Sequence, residues 1–134
     1  MYPVSLANGG TGILLKTLVS NACSSDCKYC PLRSNSDTTR RCTLTPDELA
    51  RAFLEFDHKT PLIGLFLSSG ILGTPDRSMQ LLIDTAEILR YCFHYKGYIH
   101  IKIIPGASDE AVRRAIRVAS AVSLNIETPG RQHF

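Results

Sequence analysis

Three cysteines lie within eight residues, in the string Cys23-Ser24-Ser25-Asp26-Cys27-Lys28-Tyr29-Cys30. Thiolates are ligands for soft metals, and three of them on one short loop are expected to converge on a single centre. Disulfides between such close neighbours would be strained, and five cysteines in all leave an odd thiol. A metal in a reducing cytoplasm is the expectation. Two metal chemistries compete. One is an iron–sulfur centre on Cys23, Cys27 and Cys30. The other is a closed, non-catalytic zinc module in which Cys42 adds the fourth ligand. Zinc motifs usually come as paired C-x2-C knuckles, and only Cys27 and Cys30 have that spacing. Cys92 reads as an ordinary packing residue on the apolar side of a helix.

Other polar groups recur at suggestive places. Ser68-Ser69-Gly70 ends a buried apolar run and reads as a turn. From 121 to 127, Ser123, Asn125 and Glu127 alternate with Val122, Leu124 and Ile126, which puts the three polar side chains on one face of a strand. Strands of a parallel sheet are normally apolar on both faces, so this stripe faces either a ligand or solvent. His100 and Lys102 form a similar stripe, facing a barrel lumen or water. Arg33, Arg40 and Arg41 flank the cysteines, where an anionic substrate could be met. Arg113, Arg114 and Arg117 read as the solvated face of a helix, and His58, His94 and His133 as surface residues. Gly9-Gly10-Thr11-Gly12 lacks the Lys-Ser/Thr of a phosphate loop and reads as a turn.

The elements that must position these groups follow from periodicity and caps. Residues 1–12 are expected to be a loose N-terminal segment, and Ile13 to Val19 a short strand leading into the cysteine loop. Thr45-Pro46-Asp47-Glu48 carries an N-cap, a proline at the first helical position and acidic residues for the helix dipole. It opens a helix with Leu49, Ala50, Phe53 and Phe56 on one face. Leu62 to Leu67 is a second strand. A second helix is expected from about Ser78, with Met79, Leu82, Ile83, Ala86, Leu89 and Phe93 inward. Tyr98 to Ile104 is a third strand, and Ser108 caps a helix carrying Val112, Ala115, Ile116 and Ala119 inward. Ala121 to Glu127 is a fourth strand.

Strands alternating with helices mean an α/β fold with a parallel sheet. Three βα units plus a fourth parallel strand make about half of a (βα) barrel, in a chain of 134 residues against about 250 for a complete one. The unclosed edge of the last strand is expected to seek a partner. With 44% hydrophobic and 20% charged residues the chain reads as one domain over 1–134. A net charge of +3 is too small to argue for nucleic acid by itself. Neither a signal peptide nor an apolar run long enough to cross a membrane is expected. A cysteine loop placed after a parallel strand lies at the C-terminal face of the sheet, where α/β active sites are found.

The spacing C-x3-C-x2-C, with an aromatic before the last cysteine, resembles the radical S-adenosylmethionine (SAM) superfamily. The resemblance implies a [4Fe–4S] cluster with three irons on Cys23, Cys27 and Cys30 and a fourth iron open to the amino and carboxylate groups of SAM. Reductive cleavage of the sulfonium, with an electron from an external donor, would yield a 5′-deoxyadenosyl radical. By the same resemblance Tyr29 packs beside the SAM adenine, and the backbone of Ser68-Ser69-Gly70 receives the SAM amino group, although the family's glutamate is missing there. Asn125 and Glu127 would meet the SAM ribose and carboxylate. Longer strings, among them Gly64-Leu65-Phe66-Leu67-Ser68-Ser69-Gly70 and Ser123-Leu124-Asn125-Ile126-Glu127, resemble one subgroup associated with DNA modification or repair. For that subgroup a nucleic-acid substrate and a uracil-DNA-glycosylase-like partner protein are implied.

Overall fold

The computed structural model describes residues 1–35 and 40–125. Five strands form one curled sheet in the order β1-β2-β3-β4-β5: Tyr2–Ser5, Thr11–Leu18, Gly64–Ser68, Tyr98–Ile103 and Ala121–Leu124. β2 to β5 are parallel, as the alternation of strands and helices requires, and β1 is antiparallel to β2. The architecture is mixed α/β, a half-barrel sheet with three helices: α1 Pro46–Lys59, α2 Pro75–Glu87 and α3 Asp109–Val118.

The expected loose N-terminus is instead a β-hairpin. Its turn runs from Leu6 to Gly10, where the Leu6 N–H donates to the Gly10 carbonyl at 2.8 Å and Gly9 takes a left-handed φ of +83°. Thr11 and Gly12 therefore belong to β2 and not to the turn. Pro3 fits because β1, with one neighbouring strand among the described residues, is an edge strand where a missing N–H is tolerated.

Period two divides the sheet into two faces. Leu65, Leu67, Ile99, Ile101 and Ile103 are buried in one core with Phe53 of α1 and Met79, Leu82 and Ile83 of α2. The alternate residues, Lys16, Phe66, His100, Lys102 and Ser123, lie on the opposite face by register. In α1, Phe56 is exposed, while Leu49, Ala50 and Phe53 are buried as the periodicity requires. In α3, Ala115 is buried and Val112 and Ala119 pack against the core as expected, while Ile116 is exposed and Val118 is buried in its stead.

α2 starts at the Thr74 N-cap, whose hydroxyl accepts from the Arg77 N–H, four residues before the expected start. Ser78 has another role inside the helix. Its buried hydroxyl donates to the Gly70 carbonyl at 3.0 Å and accepts from the Leu72 N–H at 2.8 Å, which fixes the turn after β3 against α2. Beyond Glu87 the chain widens into a π-helical turn, Ile88–Cys92. A π turn has more residues per revolution than an α turn, so it shifts the helical phase. Leu89 stays buried, and Cys92 is exposed instead of lying on the apolar side.

Candidate functional site

The connection from β2 to α1 carries the cysteines, and its neck is closed by a short antiparallel contact. The Leu44 N–H donates to Val19 O at 2.9 Å, the Asn21 N–H to Cys42 O at 3.1 Å, and the Ser20 and Thr43 hydroxyls meet at 2.7 Å. Arg41 then reaches back across the neck. Its guanidinium donates to the carbonyls of Asn21 at 2.7 Å, Leu32 at 2.9 Å and Arg33 at 2.7 Å, so one side chain holds both ends of the cysteine segment. Asn21 reciprocates: its amide donates to Arg40 O at 2.9 Å and accepts from the Cys42 N–H at 2.6 Å. Arg41 is therefore an internal brace, not the free cation for an anionic substrate that the sequence suggested.

The loop's first cysteine is fixed against the end of β3. The Gly70 N–H donates to Ser20 O at 2.8 Å, the Ile71 N–H to Cys23 Sγ at 3.4 Å, and the Ser24 N–H to Ile71 O at 2.8 Å. A Cβ on Gly70 would collide with the Ala22 carbonyl and crowd the Cys23 Cβ. Glycine in Ser68-Ser69-Gly70 is thus demanded by close approach of the two loops. Further along, the Cys30 N–H donates to Cys27 O at 2.9 Å, folding the last two cysteines into a turn. Asp26, just before Cys27, pairs with Lys28, whose hydrogen bond holds its carboxyl below the usual carboxylate range, and Arg33 stands 4.0 Å away.

These contacts surround a cavity of about 740 Å³ at the C-terminal end of the parallel strands. Cys23, Cys27, Cys30, Tyr29, Ser68, Ser69, Gly70 and Asn125 all line it. Eight residues singled out on chemical grounds, from three separate stretches of chain, therefore share one chamber. Tyr29 is largely exposed, its ring free to cover a ligand at the mouth. Ser69 Oγ is buried without a hydrogen-bond partner among the described residues. A buried hydroxyl is ordinarily paired, so an unpaired one lining a cavity is suited to a ligand. Glu127 lies outside the described residues. Ser123 does not line the cavity; its hydroxyl bonds His100 Nε2 at 2.8 Å. Lys102 does line it, together with main chain around Ile103 and Gly106.

The three thiols share the cavity without closing on a point. Among the described residues, no group of three or more His, Cys, Asp or Glu side chains is arranged to hold a metal ion. Cys42 is exposed and is not among the cavity's lining residues. The remaining lining is backbone and aliphatic, which residue chemistry alone does not single out.

No family model matches the chain, and no curated protein matches it. No helix among the described residues is long and apolar enough to cross a membrane.

Proposed function

We propose that this chain is a radical SAM enzyme, or the part of one that holds the cofactors, with a [4Fe–4S] cluster on Cys23, Cys27 and Cys30 and SAM in the same cavity. The observation that carries the reading is the common lining of that chamber by the three cysteines, Tyr29, the Ser68-Ser69-Gly70 turn and Asn125. A zinc ion draws its sulfur ligands to about 2.3 Å from one point, whereas the irons of a cluster are spread over a cage with a thiolate on each. Thiols standing around a roomy chamber suit the second demand, and no observation favours a zinc site completed by Cys42.

When bound, the two groups would together supply reductive cleavage of a sulfonium and a 5′-deoxyadenosyl radical. The chain's own contributions are distinct from that chemistry. Arg41 and Asn21 hold the loop in shape, and the Ile71 N–H supports Cys23. Ser69 Oγ and the backbone of the turn offer polar groups to an amino-acid end, Asn125 offers an amide to a ribose, and Tyr29 offers a ring to an adenine. An external electron donor, a nucleic-acid substrate and a uracil-DNA-glycosylase-like partner come with the family resemblance and belong to this proposal.

Anaerobic reconstitution followed by iron and sulfide analysis tests the reading. Wild type and Cys42→Ser are expected to take up a [4Fe–4S] cluster, and Cys23→Ser, Cys27→Ser and Cys30→Ser to lose it. Addition of SAM is expected to perturb the electron paramagnetic resonance spectrum of the reduced cluster. Undiminished iron in Cys23→Ser together with complete loss in Cys42→Ser would overturn the assignment.

A further inference from the structure

Lys102 is the one cation among the described residues that line the chamber, and no Asp or Glu is among them. Its ammonium has no hydrogen-bond or ion-pair partner among the described residues. The side chain is half-buried, and it shares the lining with the aliphatic Leu18, Ile71, Ile103 and Ile104. A charge drawn partly out of water onto such a wall is costly until it meets an anion.

The register of the sheet places this lysine. β3 and β4 run parallel with Phe66 beside His100 and Leu67 beside Ile101, so the next step along both strands sets Ser68 beside Lys102. Phe66 and His100 stack with ring centroids 4.5 Å apart, which puts their side chains on one face. Side chains return to that face every second residue, so Ser68 and Lys102 share it, on strands about 4.8 Å apart. Both line the chamber. Lys102 thus stands next to the Ser68-Ser69-Gly70 turn, whose Ser69 Oγ is buried and unpaired among the described residues.

That turn is the part of the chamber proposed above for the amino-acid end of SAM. In an α-amino acid the amino and carboxylate groups share one carbon, so an amino group at the turn brings its carboxylate within reach of the neighbouring strand. By the resemblance Asn125 and Glu127 would meet the ribose and carboxylate, but Asn125 is uncharged and Glu127 has the sign of the carboxylate itself. We infer that Lys102 is the residue that binds the α-carboxylate of SAM, by a charge-assisted hydrogen bond from its ammonium. The inference rests on the enzyme reading and adds to it the counter-ion that selects an intact amino-acid end.

Equilibrium binding of SAM and of its decarboxylated analogue to the iron-loaded chain tests this. The analogue keeps the adenosine, the sulfonium and the amine and lacks only the carboxylate. Lys102→Gln is expected to weaken SAM about ten-fold or more, the measure of one charge-assisted hydrogen bond, and to leave the analogue's affinity unchanged or raised. Lys102→Arg should keep most of the SAM affinity, since the charge is retained. Both variants should hold as much iron as wild type. Undiminished SAM affinity in Lys102→Gln overturns the inference. So does an equal loss for both ligands, or a loss of iron in that variant, either of which would make Lys102 a counter-ion of the thiolate-bound cluster or a support of the fold. A wild-type chain that fails to load a cluster, or loads one and binds neither ligand, strikes the enzyme reading itself and this use of Lys102 with it.

Discussion

Gly70 occupies a position with no room for a side chain, because a methyl there meets the Ala22 carbonyl. Gly70→Ala should therefore push the end of β3 away from the cysteine loop and cost about 1–3 kcal/mol, seen as a lower midpoint in denaturant. Arg41→Ala leaves the carbonyls of Asn21, Leu32 and Arg33 without this donor, and should cost a similar 1–3 kcal/mol, roughly. Arg41→Lys should recover little of it, since a single ammonium lacks the planar fork that reaches three carbonyls. Residues of this kind mark where sequence reading stops. The cysteines were picked out by type and spacing, and Tyr29 and Asn125 by the family resemblance those cysteines carry; the folded chain brings all five to one cavity. The brace formed by Arg41 could not be picked out, since its partners are main-chain carbonyls brought near only by the folded loop. His100 was visible as part of a polar stripe, but the burial that lowers its pKa and the Ser123 hydroxyl it meets from another strand are products of the fold.

At the scale of single elements, the caps hold most of what was legible. Thr45 and Glu48 form a reciprocal box: the Glu48 N–H donates to Thr45 Oγ1 at 3.3 Å, and the Thr45 N–H to Glu48 Oε2 at 2.8 Å. Thr45→Ala should destabilise the protein by about 1 kcal/mol. The backbone and hydroxyl of Thr45 hold the Glu48 carboxyl below its usual range. A lowered folded pKa means stability that is present above the unfolded value and lost as pH falls through the folded one. The stability gap between wild type and Thr45→Ala should accordingly narrow on acidification below pH 4.5, the ordinary value for glutamate, when followed by thermal melts across a pH series. A gap that stays constant from neutral to acidic pH would show that the carboxylate contributes nothing to the cap. Thr74-Pro75-Asp76 repeats the signature of Thr45-Pro46-Asp47, and reading it would have placed the start of α2 correctly. The apolar face of α2 begins only at Met79, and that periodicity drew the boundary inward. The π turn was out of reach, because no side-chain cap marks where Ile88–Cys92 departs from the α-helix.

Across the molecule, the alternation of strands and helices foretold the parallel order of β2 to β5, since crossovers of one hand lay successive strands side by side. β1 escaped because four residues with a proline carry almost no periodic signal. At the other margin, β5 pairs only with β4 among the described residues, and Leu124 and Ile116 are 57% and 55% exposed. Apolar side chains beside an unpaired strand edge favour association. Light scattering on this chain should show self-association that rises with concentration, and Leu124→Lys should reduce it. A monodisperse monomer at all concentrations would contradict the edge argument.

The zipped neck of the cysteine loop has a consequence in chain statistics. Bringing together the ends of a free loop of this length costs on the order of 3 kcal/mol in lost configurations. Here Val19–Leu44, Asn21–Cys42 and the Arg41 brace have closed the ring. Whatever the three thiols take hold of, that part of the ordering entropy is already spent in folding and need not come out of the binding step. Loading should therefore depend on the thiols' local adjustments and not on the search of a long, open chain.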